Sequence, residues 1–241
     1  MKYYIAAPFG NYLHKPDMYS VMGTFTLLRR PGLLKALLKT LRYSFHHNGW
    51  TNQLGLRTPG IEKGINKYYV QPHRRIVSIC GFNYGEWKTL AEYTRGIRIE
   101  LNLSCPNLGM KGNIGCPVEL FDTGNVIVKM SPLTTENEIV MYMERGVRKW
   151  HFSNTLPIEQ GGLSGRTLMA YNQKLIKFTL KADKKAKIIG GGGIRDMSDV
   201  AWYRDLGCSG VSLGTVCFWP FALNRFNTKE NCPINTYRIN R

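Results

Sequence analysis

Residues 102–107, with the sequence Asn-Leu-Ser-Cys-Pro-Asn, place two amides and a thiol in one short segment. An alternating apolar run, typical of a β-strand, precedes this segment. A strand of this kind needs neither amide nor thiol side chains in order to pack. Pro106 cannot donate to a strand ladder, so it ends the strand where the polar groups emerge. Amide and thiol side chains gathered at a strand end indicate a catalytic or binding site.

Two other segments combine an apolar run with glycine. Residues 187–196, Lys-Ile-Ile-Gly-Gly-Gly-Gly-Ile-Arg-Asp, predict a buried strand, a glycine turn and a helix start. Backbone N–H groups at a helix start bind phosphate, because the unpaired donors and the helix dipole both favour an anion. The next predicted strand ends in Gly214 and Thr215. Because the loops after the last two strands of a barrel often hold phosphate, these loops with Gly192 and Gly193 predict a mononucleotide phosphate site.

Lys129 ends an apolar run, Asn-Val-Ile-Val-Lys, directly before Met130 and Ser131. A lysine that faces a protein interior is unfavourable unless it meets a negative partner. The position therefore indicates either a ligand contact or a side chain that reaches solvent. Residues 151–166 then supply Asn154 at a strand end and a glycine-rich loop suited to cover a ligand.

The elements that must position these residues are short β-branched or aromatic runs that alternate with helical patterns. We predict strands at 3–7, 20–26, 76–80, 97–103, 125–130, 149–153, 187–190 and 210–213, and helices at 33–45, 86–93, 135–145, 168–181 and 198–205. This alternation favours an α/β fold, the (β/α)8 TIM barrel, over an open doubly wound sheet. We expect a single domain over residues 1–241. In such a barrel the polar strand ends share one mouth.

The composition adds a charge that the barrel does not explain. The formal net charge is +17, and residues 29–75 contain ten Lys or Arg against one acid, Glu62. Such a surface attracts polyanions such as nucleic acid, anionic lipid or phosphate ligands. A basic face that is only solvated is the alternative.

Residues 29–45 contain a basic amphipathic pattern. At helical spacing one side is basic and the other is an apolar stripe of Leu33, Leu34, Leu37, Leu38, Leu41 and Phe45. We expect the stripe to pack on the barrel. Contact with an anionic membrane surface is the alternative.

Several protein classes are excluded by the same sequence. The six cysteines form no CxxC pair and the five histidines form no metal motif, so we expect no metal site and no disulfide framework. No run reaches the roughly 20 apolar residues of a spanning helix. The first residues do not have the pattern of a signal peptide. We therefore expect a cytoplasmic protein with reduced thiols and no transmembrane segment.

In this order and at these spacings, the segments resemble the dihydroorotate dehydrogenases, FMN enzymes of pyrimidine biosynthesis. The segments that carry the resemblance are NLSCPN (102–107), VKMSP (128–132), SNT with GGLSG (153–165), IIGGGGI (188–194), LGT (213–215), GTFTLLRRPG (23–32) and WTNQLGL (50–56). The resemblance covers most of residues 20–226 and implies an FMN-dependent oxidoreductase that converts dihydroorotate to orotate.

The resemblance implies a role for each site residue. Cys105 matches the family's base, which takes a proton from C5 of dihydroorotate while hydride passes from C6 to flavin N5; the alternative for a lone cysteine is a small buried apolar residue. Amides suit a pyrimidine edge because they carry both a donor and an acceptor. The asparagines that match the substrate contacts are Asn52, Asn102, Asn107 and Asn154.

The remaining matches concern the flavin. Lys129 matches the lysine beside the flavin N1 and O2 edge, where its charge stabilises reduced flavin. Other matches to FMN contacts are Thr24, Ser78, Asn102, Ser153 and Gly165, and the matches to the phosphate cradle are Gly192, Gly193, Gly214 and Thr215.

The sequence departs from the family pattern in two places. A further active-site lysine, expected near the first two strand ends, is absent there, and Lys15 is the candidate substitute. The segment between Asn107 and Lys129 is about one helix shorter than in typical members. We therefore expect a trimmed member of the family.

Several questions stay open at this point. The cysteine base and Ser78 favour the soluble classes of the family, whereas GTFTLL and GGLSG favour the quinone-using class, so the electron acceptor is undetermined among fumarate, NAD, quinone or another oxidant. A homodimer is also open. Two other functions compete: a flavin-binding or structural barrel that has lost turnover, and a dihydrouridine-synthase-like flavoenzyme that acts on RNA, which would explain the charge of +17.

Overall fold

The computed structural model describes residues 1–103 and 116–226, so Cys105 and Asn107 lie outside the described residues. The strands are β1 (Lys2–Ile5), β2 (Tyr19–Phe25), β3 (Arg42–Ser44), β4 (Gly49–Asn52), β5 (Arg75–Ile79), β6 (Ile99–Asn102), β7 (Ile127–Met130), β8 (Lys149–Phe152), β9 (Leu156–Ile158), β10 (Gly161–Gly165), β11 (Lys187–Gly191) and β12 (Gly210–Leu213). The helices are α1 (Leu33–Thr40), α2 (Ile61–Val70), α3 (Tyr84–Tyr93), α4 (Glu136–Glu144), α5 (Thr167–Ala182) and α6 (Met197–Asp205).

Within the described part of the chain, eight parallel strands close into a barrel in the order β1-β12-β11-β8-β7-β6-β5-β2. Each of the strands predicted for the barrel corresponds to one of these eight. The prediction of a (β/α)8 barrel is therefore confirmed. Because all the strands run in one direction, their carboxyl ends open on the same side of the molecule.

Side chains alternate between the inside of the barrel and the layer beneath the helices, since successive residues of a strand point to opposite faces. The residues that point inward near the amino ends of the strands pack together as an apolar layer of Tyr4, Val21, Ile76, Ile127 and Ile189. Two residues further along several of these strands, the inward side chains are polar. The apolar layer thus fills the barrel near the amino ends of the strands, and the polar groups lie near the carboxyl ends.

The outward side chains form the larger core between barrel and helices. Trp87, Tyr142, Trp150 and Tyr203 are all fully buried there. Capping side chains fix where the helices begin: Asn83 accepts from the backbone of Glu86 at α3, and Thr135 begins α4 with a capping box. These helices hold the outer side of the strands that carry the site.

A small antiparallel sheet, in the order β3-β4-β10-β9, lies outside the barrel and was not predicted. Residues 161–165, part of the segment expected to form a glycine-rich loop, are instead strand β10 and pair with β4, with Gly162 opposite Asn52. The partners are more than one hundred residues apart in sequence. Such short strands carry no clear alternation, so the pairing depends on tertiary contacts.

The prediction of one helix over 33–45 is wrong in its second half. Helix α1 ends at Thr40, because residues 42–44 pair with β4 as strand β3. The expected packing of the apolar stripe is wrong for Leu34, Leu38 and Phe45, which are 69%, 70% and 89% exposed. The other three members, Leu33, Leu37 and Leu41, are half-buried. The membrane-surface alternative for this segment stays a prediction.

Helix α2 was missed by the sequence analysis, because its apolar positions are few and interrupted by polar residues and Gly64. In the structure Ile61 and Tyr68 are buried and join the core. Tertiary contact therefore stabilises a helix whose own pattern is weak.

None of the described helices combines the length and the apolar character needed to cross a bilayer. In the same residues, no group of three His, Cys, Asp or Glu side chains lies close enough together to hold a metal ion. The described cysteines, Cys80, Cys116, Cys208 and Cys217, are buried thiols outside any disulfide.

Candidate active site

Glu100 lies within β6, fully buried inside the barrel, and its carboxylate organises the polar groups around it. Its Oε1 accepts a hydrogen bond from Ser78 Oγ at 2.8 Å, and its Oε2 lies 2.5 Å from His151 Nδ1. A carboxylate can only accept hydrogen bonds, so both neighbours donate to it. Glu100 therefore sets the direction of the hydrogen bonds on either side.

On the Ser78 side this direction passes through four side chains. Because Ser78 uses its proton on the carboxylate, Thr24 Oγ1 donates to Ser78 Oγ across 3.0 Å. Asn102 Nδ2 donates to Thr24 Oγ1 at 2.9 Å, and Asn154 Nδ2 donates to Asn102 Oδ1 at 3.0 Å. Asn102 retains a second amide proton that it can donate to a ligand.

On the other side, His151 Nδ1–H donates to Glu100, and His151 Nε2 lies 2.5 Å from Ser153 Oγ, which donates to it. Ser153 is the chain neighbour of Asn154, so the two series meet and close. We call this closed set the polar ring. It consists of Thr24, Ser78, Glu100, Asn102, His151, Ser153 and Asn154.

The charges in the polar ring follow from burial and neighbours. Burial acts to raise the pKa of Glu100, but His151, the charge of Lys129 and the hydrogen bonds from His151 and Ser78 together lower that pKa to about 2. For His151, burial outweighs the attraction of Glu100 and lowers the pKa of the imidazole. Near neutral pH the pair is therefore a carboxylate and a neutral imidazole that carries its proton on Nδ1.

Lys129 lies on β7, paired in register with Asn102 on one side and His151 on the other. Its side chain is buried, and its charge contributes to the lowered pKa of Glu100. A buried ammonium needs a negative neighbour, and Glu100 supplies one. The structure thus provides the partner that the sequence argument required.

Five of the residues expected at the site are brought together by hydrogen bonds in the polar ring, and Lys129 lies beside them. Glu100 and His151 were missed by the sequence analysis. The signal was present in both strands: Glu100 stands two residues before Asn102, and His151 two residues before Ser153, so each pair shares an inward face. An ionisable residue inside an otherwise apolar strand is the pattern that would have identified them.

The glycine tip after β11 is held by a buried tyrosine. Tyr203 Oη donates to the carbonyls of Gly191 and Gly192, at 2.6 and 2.9 Å. In a trans peptide the N–H points opposite to the carbonyl that precedes it, so the N–H groups of Gly192 and Gly193 point away from Tyr203. Both residues have positive φ, +86° and +78°, which favours glycine.

The tip after β12 offers space beside its backbone. A Cβ added at Gly214 would meet no described atom within 4 Å, and Thr215 begins the short 3-10 helix Thr215–Phe218. On the same strand, Ser212 Oγ is buried without a hydrogen-bond partner among the described residues. These two features leave room and an unpaired hydroxyl on the strand next to the β11 tip.

Helix α6 begins at Met197, one residue before the predicted start at 198, and its N-terminus was expected to receive the phosphate. Two N–H groups of its first turn are already used, because Asp196 accepts from the backbone of Ser198 and Asp199. A phosphate at this end of the barrel would rely on the glycine backbone rather than on the α6 terminus.

Three other residues named in the sequence analysis are Asn52, Gly165 and Lys15. Asn52 and Gly165 belong to the small sheet, where Asn52 Nδ2 donates to the carbonyl of Gly162 at 3.5 Å. The candidate substitute Lys15 is half-buried and donates to Asn224 Oδ1 at 2.6 Å. Asn52 and Gly165 thus belong to the small sheet and Lys15 contacts Asn224, whereas the polar ring is built from residues of the barrel strands and their carboxyl ends.

A closed parallel barrel with an apolar lower layer and with charged and amide side chains at its carboxyl end has the architecture of the barrel enzymes. The sequence matches no known protein-family profile. It is 27% identical to a putative fumarate-type dihydroorotate dehydrogenase A of Aquifex aeolicus, over 71% of this chain and 68% of that protein. It is 29% identical to the catalytic subunit of the NAD(+)-type dihydroorotate dehydrogenase B of Endomicrobium trichonymphae, over 81% and 72%.

Among solved structures, the dihydroorotate dehydrogenase of Eimeria tenella in complex with ferulenol superposes with a TM-score of 0.69 over 93% of this chain and 79% of that one, at 18% identity. This likeness supports the barrel fold. The curated relatives support the family. The chain is therefore similar in sequence to dihydroorotate dehydrogenases, of whose length it spans about 70%, and the resemblance identified in the sequence is confirmed.

Proposed function

We propose that this protein is an FMN-dependent dihydroorotate dehydrogenase, which oxidises dihydroorotate to orotate in pyrimidine biosynthesis. The observation that carries the proposal is the polar ring, which gathers five residues of the family's motifs around a buried carboxylate in a homologue of that family. Amide and hydroxyl groups held in fixed directions suit a ligand whose edge alternates donors and acceptors.

The residues at the carboxyl end fit FMN. When bound, FMN supplies the acceptor for the hydride that leaves C6 of dihydroorotate. Lys129 is the residue to place beside the electron-rich edge of the flavin, since a buried ammonium stabilises added negative charge. The glycines beyond β11 and β12 are the residues to hold its phosphate, because Gly214 leaves open space and the N–H groups of Gly192 and Gly193 point away from Tyr203.

Cys105 is the proposed base and lies outside the described residues. The described cysteines are poor alternatives, because burial raises the pKa values of Cys116, Cys208 and Cys217. Only a thiolate takes up a proton readily. In this proposal the C5 proton of dihydroorotate passes to the Cys105 thiolate, Asn102 and Asn154 orient the pyrimidine, and Asn52 and Asn107 complete its contacts.

The experiment is anaerobic reduction of the purified, FMN-loaded protein by dihydroorotate, followed as loss of absorbance near the flavin maximum. We expect bleaching in the wild type and a rate at least about 10²-fold lower in Cys105→Ala, the usual effect of losing a general base. Cys208→Ala is the matched control, because this thiol is buried just before β12, at the amino end of the barrel. Stoichiometric flavin without bleaching would favour a barrel that has lost turnover, and reduction only in the presence of an RNA substrate would favour the dihydrouridine-synthase alternative.

The phosphate cradle has its own test, and Gly214 is the better position for it. At Gly193 a side chain would meet the Arg166 backbone at 2.8 Å, so a change there disturbs the fold itself. Gly214→Val has space for its side chain and should lower flavin content strongly. Because the backbone angles at Gly214, φ −107° and ψ −96°, disfavour a β-branched residue, thermal unfolding of the flavin-free variant is measured beside it. Gly124→Val is the control, since its Cβ is also uncrowded. Full flavin content in Gly214→Val would contradict this location.

We further propose a single domain and a cytoplasmic location. Four buried cysteines that form no disulfide are consistent with a reducing compartment. A homodimer and the identity of the electron acceptor stay predictions of the sequence, to be tested by solution mass and by steady-state assays with fumarate, NAD(+) and a quinone.

A further inference from the structure

The amino end of the barrel contains a cavity of about 1020 Å³ on the side opposite the polar ring. Its inner surface is formed by the apolar layer, including Tyr4, Ile76, Ile127 and Ile189, with Tyr19 stacked on Tyr4 at a centroid distance of 5.1 Å. The volume is at the upper end of the range for small-molecule sites. We call this space the amino-end cavity.

Six basic side chains line the amino-end cavity, and four of them stand at or directly before the start of a barrel strand. Lys2, Lys149 and Lys187 are the first residues of β1, β8 and β11, and Arg98 directly precedes β6. Since all strands of the barrel begin at this end, their first side chains converge on one opening. Lys149 and Lys187 are direct partners in register, which places two ammonium-bearing side chains on neighbouring strands.

The cations at this opening are not compensated by ion pairs. Among the described residues, the ion pairs within 4.0 Å include neither Lys2, Arg98, Lys149 nor Lys187. The acids that line the cavity are Glu92 and Asp122.

The basic groups instead use neutral partners. Lys149 Nζ donates to Asn125 Oδ1 at 2.9 Å, and Arg98 donates to the carbonyl of His73 at 2.9 Å. Lys2 and Arg98 both lie within 6 Å of the centre of the Tyr19 ring, at 5.8 and 5.9 Å. Burial, followed by the positive charge of Lys187, lowers the pKa of Lys149. The free protein thus holds its cations close together against their mutual repulsion.

We propose that the amino-end cavity binds a nucleoside di- or triphosphate, with its phosphates on the basic side chains and its base against the apolar layer. A multiply charged phosphate group satisfies several cations at once. The aromatic and aliphatic inner surface suits a flat organic body rather than a simple inorganic anion. The proposal does not depend on the function proposed for the opposite end of the barrel.

The shape of the site argues against two other partners. A second copy of this chain would bring the same cations against one another, which is unfavourable. A nucleic-acid strand is best matched by a basic stripe along a surface, whereas here the basic side chains converge on a concave space of limited volume.

The experiment is calorimetric titration of the FMN-loaded protein with ATP, inorganic triphosphate and a single-stranded oligonucleotide at physiological salt. Lys187→Glu is the test variant, because this side chain is exposed and its loss leaves the core intact. We expect ATP to bind in the wild type and to bind at least about tenfold more weakly in Lys187→Glu, as for the loss of one charge-assisted contact. The control is Lys177→Glu on the exposed side of α5, which changes the net charge equally.

Several outcomes decide the proposal. Equal weakening in both variants would show that only the overall charge attracts ATP, and the site would be overturned. Triphosphate that binds as tightly as ATP would overturn the role of the apolar layer, and an oligonucleotide that binds more tightly than ATP would overturn the choice of ligand. Arg98→Gln provides a second variant, with a smaller expected loss of affinity, if Lys187→Glu fails to fold.

Discussion

At the carboxyl end of the barrel, Glu100, Lys129 and His151 are buried, and each charge has a partner of opposite sign or a hydrogen bond. At the amino end of the same strands, Lys149 and Lys187 stand side by side, with no ion pair to an acid among the described residues. One strand, β8, contributes to both ends, because Lys149 and His151 are two residues apart on its inner face. The apolar layer separates the two environments.

The difference reflects the cost of removing charge from water. A charge in the interior must be paired, because an unpaired buried ion costs several kcal/mol. A cation at the amino-end opening stays partly hydrated, so it costs much less free energy to leave without an acidic partner. The paired charges at the carboxyl end therefore hold side chains in a fixed geometry. The unpaired cations at the amino end attract anions.

The largest effect should come from removing the central carboxylate. Glu100→Gln leaves Lys129 buried without a negative neighbour and disturbs the hydrogen bonds from Ser78 and His151. We expect the free energy of unfolding to fall by about 3–5 kcal/mol, measured by denaturant titration. Glu144→Gln, on the exposed end of α4, should change it by less than about 0.5 kcal/mol. If Glu100→Gln lowers the free energy of unfolding by less than about 1 kcal/mol, the buried charges at the carboxyl end do not depend on Glu100 as their partner.

The second largest effect is expected on the stability of the protein at acidic pH. His151 has a lowered pKa in the folded protein, so below about pH 6.5 the unfolded chain binds a proton that the folded protein does not. Stability therefore falls as pH falls, by up to about 1.4 kcal/mol per pH unit from this group. Glu100, whose pKa is lowered to about 2, adds a loss of the same sign at pH values below its ordinary range.

His151→Gln should remove the His151 part of this dependence, seen as a flatter plot of unfolding free energy between pH 5 and about 6.5. His73→Gln is the matched control, because His73 is exposed and contributes only its backbone carbonyl to Arg98. Identical pH slopes in the wild type and His151→Gln would contradict a neutral imidazole in the polar ring.

The smallest effect is expected at the unpaired end. Lys187→Gln should raise the unfolding free energy by about 0.3 kcal/mol at low salt, because it relieves repulsion from Lys149. The gain should vanish near 1 M salt, where the Debye length is about 3 Å. Lys177→Gln, outside the cluster, should show no such gain. A stabilisation that persists at high salt would mean that repulsion is not its cause.

The sequence by itself determined the barrel and much of the site's composition. Its eight apolar runs, separated by helical patterns, required strands whose carboxyl ends meet, and this alone brought Asn102, Lys129 and Ser153 to one region. These inferences succeed because strand burial and side-chain alternation are local properties that a single sequence displays.

Other features were decided only by the tertiary structure. The polar ring required the register between β6, β7 and β8, which sets Glu100 against His151 across strands that the sequence does not align. The small sheet required β4 to meet β10 from a distant part of the chain. The exposure of Leu34 and Leu38 depended on where α1 ends and what it faces. Each depends on pairing between remote segments, whose energy no local pattern contains.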